Sequence, residues 1–174
     1  MRWNPAAGHG DFLKASFCSC RERSILRKEG HSMGRQKKVR DTNFDLTRLD
    51  PQFQERLVQT ARQDTIACAS VFDILTQVDV SPSDAGKSLD ALDIGLTHCQ
   101  LGLFGYLPEK KIVKPVENPD PELRQAIQSA TVDNTLSCEQ AWNLARTANV
   151  PKMKISGICE TIGIRIKPCQ LGAF

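Results

Sequence analysis

The sequence contains an internal duplication. Residues 50–104 align with residues 120–174 at a constant offset of 70 without a gap, and 11 of the 55 aligned positions are identical. The identities concentrate at the end of each copy, in the segments CQLGLF (99–104) and CQLGAF (169–174). A repeat at a fixed period predicts that one structural unit occurs twice. Because a unit of this size is only marginally stable alone, we expect the two copies to pack together or the protein to dimerise.

The apolar residues follow the same offset. In each copy, three stripes of apolar residues at helical spacing are separated by turn residues, and a β-prone stretch comes last, at 94–97 and 164–167. The stripe of the second helix consists of Cys68, Val71, Phe72, Leu75 and Val78 in the first copy, and of Cys138, Ala141, Trp142, Ala145 and Ala148 in the second. The pattern predicts three helices and a short terminal strand in each copy.

The expected helix starts carry capping residues. Asp50 and Asp120 each precede a proline, which places a capping carboxylate before a proline at the first helical position. The sequence SCEQ at 137–140 predicts a capping box for the second helix of the second copy. Proline breaks at 81–82 and 150–151 mark the start of each third helix.

The first 49 residues differ in composition from the rest of the chain. They carry 11 basic and 5 acidic side chains and show no sustained apolar period, which predicts a basic and mostly disordered tail. Met33 begins a stretch that runs directly into the first copy, so residues 1–32 are a candidate for an upstream-start artefact of gene prediction.

Four segments result from this division. They are the tail at 1–49, repeat 1 at 50–104, a linker at 105–119 and repeat 2 at 120–174. The linker holds three prolines and is expected to be extended, with one edge strand at Ile112–Val113. Because two copies of equal length flank a short linker, the sequence predicts two tandem modules.

Composition excludes several classes of protein. Hydrophobic residues make up 40% and charged residues 25% of the 174 residues, which is typical of a globular chain. No apolar run is long enough to cross a membrane, and the N-terminus lacks the apolar core of a secretory signal. Seven cysteines, an odd number, favour reduced thiols or metal ligands over a disulfide framework. We therefore expect a cytoplasmic protein with no membrane partner.

The second copy resembles the helix-turn-helix superfamily. Within CEQAWNLARTANVPKMKISGICETIGI (138–164), the characteristic positions are held by Ala145, Asn149, Val150, Ile155 and Ile158. A small residue lets the two helices approach, an asparagine tolerates the left-handed turn, and aliphatic residues seat the second helix on the first. The first copy has Leu75, Asp79, Val80, Ala85 and Ser88 at these positions, and Leu75 and Ser88 depart from the pattern.

The resemblance implies a mainly α fold. It consists of two tandem three-helix modules of helix-turn-helix type, each with a short terminal β-strand that makes it similar to a winged helix with a very short wing. The resemblance also implies DNA binding, provided that the surface is cationic. In repeat 2, the recognition helix and strand would present Lys152, Lys154, Arg165 and Lys167 to phosphates.

Repeat 1 is a poorer candidate for DNA contacts. The same surface would carry Asp84, Asp90 and Asp93 against Lys87, which repels a polyanion. A basic run in the tail, Arg35, Lys37, Lys38 and Arg40, would add nonspecific contacts. The alternative is an ordinary solvated face, because helix-turn-helix units also dock proteins.

Four cysteines recur at corresponding positions. Cys68 and Cys138 lie at the start of the second helices, and Cys99 and Cys169 lie on the terminal strands. If the repeats pack about a pseudo-twofold axis, these thiols would form a tetrahedral zinc or iron–sulfur site. The alternative is simple burial, because Cys68 and Cys138 also belong to the apolar stripe.

The sequence offers little for catalysis. Two of the three histidines, His9 and His31, lie in the tail, and His98 is matched by Pro168. No nucleotide-binding, nucleophile-elbow or zinc-protease motif is present in the sequence. Two functions remain: a DNA-binding or regulatory protein, or a non-enzymatic accessory protein that binds a metal through paired cysteines or docks a protein partner.

Overall fold

The structure is a computed structural model, and it describes residues 44–174. This part of the chain is mainly α-helical, as the sequence predicts. The helices are α1 (Pro51–Thr60), α2 (Cys68–Leu75), α3 (Pro82–Ala91), α4 (Pro121–Ser129), α5 (Cys138–Thr147) and α6 (Lys152–Ile162). The strands are β1 (Thr65–Ala67), β2 (Gly95–Thr97), β3 (Thr135–Leu136) and β4 (Arg165–Ile166).

The predicted helix starts are confirmed. The Asp50 carboxylate accepts a hydrogen bond from the Gln52 N–H at 2.8 Å, and the Asp120 carboxylate accepts one from the Leu123 N–H at 2.9 Å. Ser137 and Gln140 form the predicted capping box. Asn149, the turn residue between α5 and α6, has the expected left-handed conformation with a φ of 50°.

Two parallel strand pairs join the helices. β1 pairs with β2 in the register Thr65↔Gly95, and β3 pairs with β4 in the register Thr135↔Arg165. The sequence analysis predicted β2 and β4 but missed β1 and β3. These strands are only three and two residues long and run directly into α2 and α5, so they show no alternation of apolar and polar residues.

Each of two apolar cores receives residues from both halves of the described chain. The core around α1, α2 and α3 contains Leu171, whereas the core around α4, α5 and α6 contains Cys99 and Leu101. The CQLGLF and CQLGAF segments therefore each pack on the helices of the other half. Leu101 and Leu171 are 0% and 2% exposed.

Close contacts hold these exchanged segments. The Ser156 hydroxyl on α6 donates to the Leu101 carbonyl at 2.7 Å. At the corresponding position on α3 stands Gly86, where a Cβ atom would collide with the Leu171 carbonyl. Phe104 packs against the core of α4, α5 and α6, whereas Phe174 is 43% exposed, and the two rings contact each other with 5.8 Å between centroids. In each segment the leucine is buried more fully than the phenylalanine.

The linker contains no strand within the described residues, so the predicted edge strand at Ile112–Val113 is wrong. The N–H groups of Ile112 and Val113 both donate to one carbonyl, that of Gly102, at 2.9 and 3.2 Å, which is a turn contact and not a ladder. Further on, the backbone of Val116 exchanges hydrogen bonds with the Thr161 hydroxyl at 2.9 and 2.7 Å. The linker therefore lies along α6.

Part of the predicted tail is described and folded. Leu46–Arg48 form one turn of 3-10 helix, capped by the Asp45 carboxylate. The remaining predictions for the tail, including its disorder, the residues 1–32 and the basic run at 35–40, lie outside the described residues. Of the helices in 44–174, none has the length and apolar character needed to cross a membrane.

Candidate functional site

The four recurring cysteines lie at two kinds of position. Cys68 and Cys138 are the first residues of α2 and α5. Cys99 and Cys169 come after β2 and β4, in turns closed by hydrogen bonds from the Gly102 and Gly172 N–H groups back to their carbonyls, at 2.8 and 3.0 Å. They therefore lie beyond the terminal strands and not on them. The glycine φ values of 74° and 63° explain why glycine stands third after each of these cysteines.

The four thiols are neighbours in a chain and not members of one cluster. The pKa of Cys68 is raised to about 11, first by burial and then by the nearby Cys99 and Cys169 thiols. Burial also raises the pKa of Cys99, with Cys169 again contributing. Cys138 and Cys169 are hydrogen-bonded to each other through their sulfur atoms. Each cysteine thus has at least one other of the four as a neighbour.

The hydrogen bond between Cys138 and Cys169 shifts the pKa values of the two thiols in opposite directions. The hydrogen bond from Cys138 lowers the pKa of the Cys169 thiol to about 6, and backbone N–H groups at 171–173 lower it further against the opposing effect of burial. The same hydrogen bond, together with burial, raises the pKa of Cys138. Within the pair the negative charge is therefore favoured on Cys169, chiefly because Cys138 donates to its sulfur.

The glutamines that follow Cys99 and Cys169 serve these thiols. The Gln170 side chain donates to the Cys138 sulfur at 3.5 Å, and its backbone N–H donates to the same atom. Gln100 donates to the Cys68 sulfur in the same two ways. The sequence analysis gave neither glutamine a role at the thiols. The available signal was their identity in both copies, directly after a cysteine.

The described thiols are not arranged around a common metal centre. Within residues 44–174, no three His, Cys, Asp or Glu side chains are grouped as a metal site. All five cysteines in this range are free thiols. To ligate one ion, at least one cysteine side chain would have to rotate from its present hydrogen bonds towards a shared centre.

The predicted cationic residues have two different environments. Lys154, Arg165 and Lys167 are exposed. Lys152 is half-buried, with its Nζ atom 3.3 Å from the centroid of the Trp142 ring, and it donates to the Gln100 Oε1 atom at 2.5 Å. Burial lowers the pKa of Lys152. Lys152 therefore supports the thiol region and does not project freely with the other three.

The centre of the predicted recognition helix is covered. Residues 155–159 of α6 are all buried. A Cβ atom added at Gly157 would come within 2.7 Å of the Lys114 carbonyl, so the linker backbone lies directly on this helix. Lys111 also pairs with Glu160 at 2.6 Å. On α6 itself, Lys154 near the N-terminal end is the exposed cation among those predicted to contact DNA.

Comparison with known proteins yields no relative. The chain matches no protein-family model, no curated protein and no solved structure.

Proposed function

We propose that the protein is a non-enzymatic accessory protein that binds a thiophilic metal ion through Cys68, Cys99, Cys138 and Cys169. In this proposal residues 50–104 and 120–174 are tandem modules of helix-turn-helix type, and the metal lies between them. The observation that supports the proposal is that four cysteines from corresponding positions of the two halves are neighbours of one another in a chain, with Cys169 near each of the other three. A cytoplasmic location fits it, because thiols stay reduced there.

The donor set favours a soft ion. Four thiolates in a closed, mostly buried site suit tetrahedral zinc or an iron–sulfur cluster, whereas magnesium and calcium prefer oxygen ligands. The backbone N–H groups around Cys99 and Cys169 supply hydrogen bonds to sulfur, which stabilise the negative charge that metal thiolates carry. These donors would remain in place after a cysteine side chain rotates, because they belong to the turns.

Cys159 provides the contrast for burial without ligation. It is 1% exposed in the core of the second half, and burial together with Glu160 raises its pKa to about 11. None of the four recurring thiols acts on Cys159, and its counterpart in the first half is Leu89. Simple core filling tolerates such a replacement, whereas the four recurring positions keep cysteine in both halves.

Metal titration of the reduced full-length chain tests the proposal. We expect one Co²⁺ or Zn²⁺ per chain, with cobalt giving the spectrum of tetrahedral thiolate ligation. Serine at any one of the four positions should weaken binding by at least tenfold, and Cys159→Ala should leave it unchanged. Reconstitution with iron and sulfide under anaerobic conditions distinguishes a cluster from a single ion. Equal binding by Cys159→Ala and the quadruple serine variant, or no binding at all, would overturn the assignment.

DNA binding is the second candidate. It is favoured by the exposed cations Lys154, Arg165 and Lys167 and by the left-handed Asn149 turn that seats α6 on α5. Because the centre of α6 is covered, such binding would be limited to phosphate contacts from the N-terminal end of α6 and from residues 165–167, which gives affinity without base readout. In this role the thiol site would be regulatory.

A gel shift at two salt concentrations separates the candidates. If DNA is bound, the triple variant Lys154→Ala, Arg165→Ala and Lys167→Ala should lose most of the binding and reduce its salt dependence. The matched control removes three exposed cations elsewhere, Arg62, Lys110 and Arg124. Equal losses in both variants would indicate a nonspecific charge effect. A chain that binds neither metal nor DNA leaves docking of a protein partner or a second copy.

A further inference from the structure

The two cysteine pairs differ in their contacts. Cys138 and Cys169 are hydrogen-bonded through sulfur, whereas Cys68 and Cys99 influence each other only through charge. The backbone also brings Cys138 and Cys169 together, because the Cys138 N–H donates to the carbonyl of Pro168, next to Cys169, at 3.1 Å. The residues on both sides of Cys169 thus contact Cys138, because the Gln170 side chain also donates to the Cys138 sulfur at 3.5 Å.

The two pairs also differ in access from solvent. Cys68 and Cys99 are 6% and 4% exposed, and the Tyr106 hydroxyl donates to the Cys99 carbonyl at 2.7 Å, so that the tyrosine lies against this pair. Cys169 is only half-buried. A small oxidant therefore reaches Cys169 first among the four thiols.

We propose that Cys138 and Cys169 form a redox-active dithiol that hydrogen peroxide converts to a disulfide, which removes two of the four ligands from the metal site. The loss of two metal ligands rests on the proposed function, whereas the formation of the disulfide does not. The device would make the metal site usable only while the chain is reduced.

The chemistry needs one peroxide for each disulfide. The Cys169 sulfur attacks one peroxide oxygen, the O–O bond breaks, and the products are a Cys169 sulfenic acid and water. The Cys138 sulfur then attacks the oxidised sulfur, the S–O bond breaks, and the thiol proton leaves with the hydroxyl as a second water. Two thiols have lost two electrons in total, and the peroxide has accepted them. A thiol reductant reverses the reaction.

The test uses the full-length chain with Cys18, Cys20 and Cys159 changed to Ser, Ser and Ala, so that only the four recurring thiols remain. The metal-free, reduced protein is treated with one equivalent of hydrogen peroxide, the remaining thiols are blocked, and the peptides are mapped by mass spectrometry. We expect the Cys138–Cys169 peptide to exceed every other linked pair by at least tenfold. A predominant Cys99–Cys169 or Cys68–Cys99 link, or oxidation of Cys169 without a link, would overturn the proposal.

Two further variants address folding and order of reaction. Cys138→Ala should leave a sulfenic acid on Cys169 that a dimedone-type probe captures, whereas Cys68→Ala should form the disulfide as the parent does. Circular dichroism checks that each variant is folded. Zinc binding is measured on the reduced, oxidised and re-reduced samples. A disulfide in a chain that binds no zinc when reduced supports the dithiol and contradicts the metal function, so the two failures are distinguishable.

Discussion

Phe72 on α2 and Trp142 on α5 pack against each other, with ring centroids 4.4 Å apart and planes inclined at 49°. The two residues are 70 positions apart, so each is the counterpart of the other in the duplicated sequence. Phe104 and Phe174 form a second contact between counterparts. One turn before the first pair stand Cys68 and Cys138. The aromatic contact thus lies beside the thiols and holds the helices that carry two of them.

Trp142→Ala should destabilise the protein by about 3 kcal/mol, the lower end of the usual range for such truncations. The change removes the contact with Phe72 and the ring beneath Lys152. Trp142→Phe should cost much less, because it keeps an aromatic ring and deletes an indole N–H that is buried with no hydrogen-bond partner among the described residues. Urea unfolding of both variants measures the difference. Equal costs would show that ring contact is not what matters here.

Gly86→Ala should destabilise the protein by about 1–3 kcal/mol, as overpacking does. The added Cβ meets the backbone carbonyl of Leu171, which cannot move aside as a flexible side chain would. Gly95→Ala is the matched control, since its nearest contacts would be ordinary ones at 3.6 Å. Thermal unfolding compares the two. If Gly86→Ala is no worse than Gly95→Ala, the close approach of the exchanged segment is incorrect.

Ser156→Ala should cost about 1–3 kcal/mol, because it leaves the Leu101 carbonyl without its buried donor. Ser88→Ala serves as the control. Ser88 is equally buried, but its hydroxyl donates to the Asp84 carbonyl within its own helix at 2.7 Å. Chemical denaturation should therefore rank Ser156→Ala as the more destabilising change. The reverse order would argue against the hydrogen bond between Ser156 and Leu101.

Alkylation of Cys169 in the metal-free protein should follow a pKa of about 6, below the ordinary thiol value of 9.0. Removing the Cys138 donor in Cys138→Ala should move the midpoint upwards. The sign for stability follows from linkage: the lowered pKa of Cys169 stabilises the fold fully above pH 9, and this contribution is lost as the pH falls towards 6. The raised pKa of Cys138 has the opposite effect, because it lowers the stability of the folded state as the pH rises above the ordinary thiol value of 9.0. The rate of iodoacetamide labelling at Cys169, measured against pH, gives the midpoint of its titration. A wild-type midpoint near 9 would contradict the lowered pKa of Cys169.

Local chemistry explains what sequence analysis could predict. The capping residues Asp50, Asp120 and Ser137 act within one helical turn, so their roles follow from spacing alone. The positions of Cys68 and Cys138 at helix starts followed in the same way, whereas Cys99 and Cys169 lie in turns after the strands on which they were predicted. The sequence analysis predicted that the four thiols meet only if the two repeats pack about a pseudo-twofold axis.

The missed features depend on the packing of distant segments. Leu101 and Leu171 could fill the core of their own half or that of the other half, and the local sequence does not decide between the two. The roles of Gln100 and Lys152 likewise depend on a contact between side chains 52 residues apart in the chain. Short strands such as β3 arise from pairing with a distant partner, because two residues are too few to show a period.

Because each end segment completes the interior of the opposite half, neither half is self-sufficient. A break in the connecting chain would leave two fragments, each lacking the leucine that fills its own centre. Such fragments would fold only as a complementing pair, and the intact chain should lose its structure in one cooperative step.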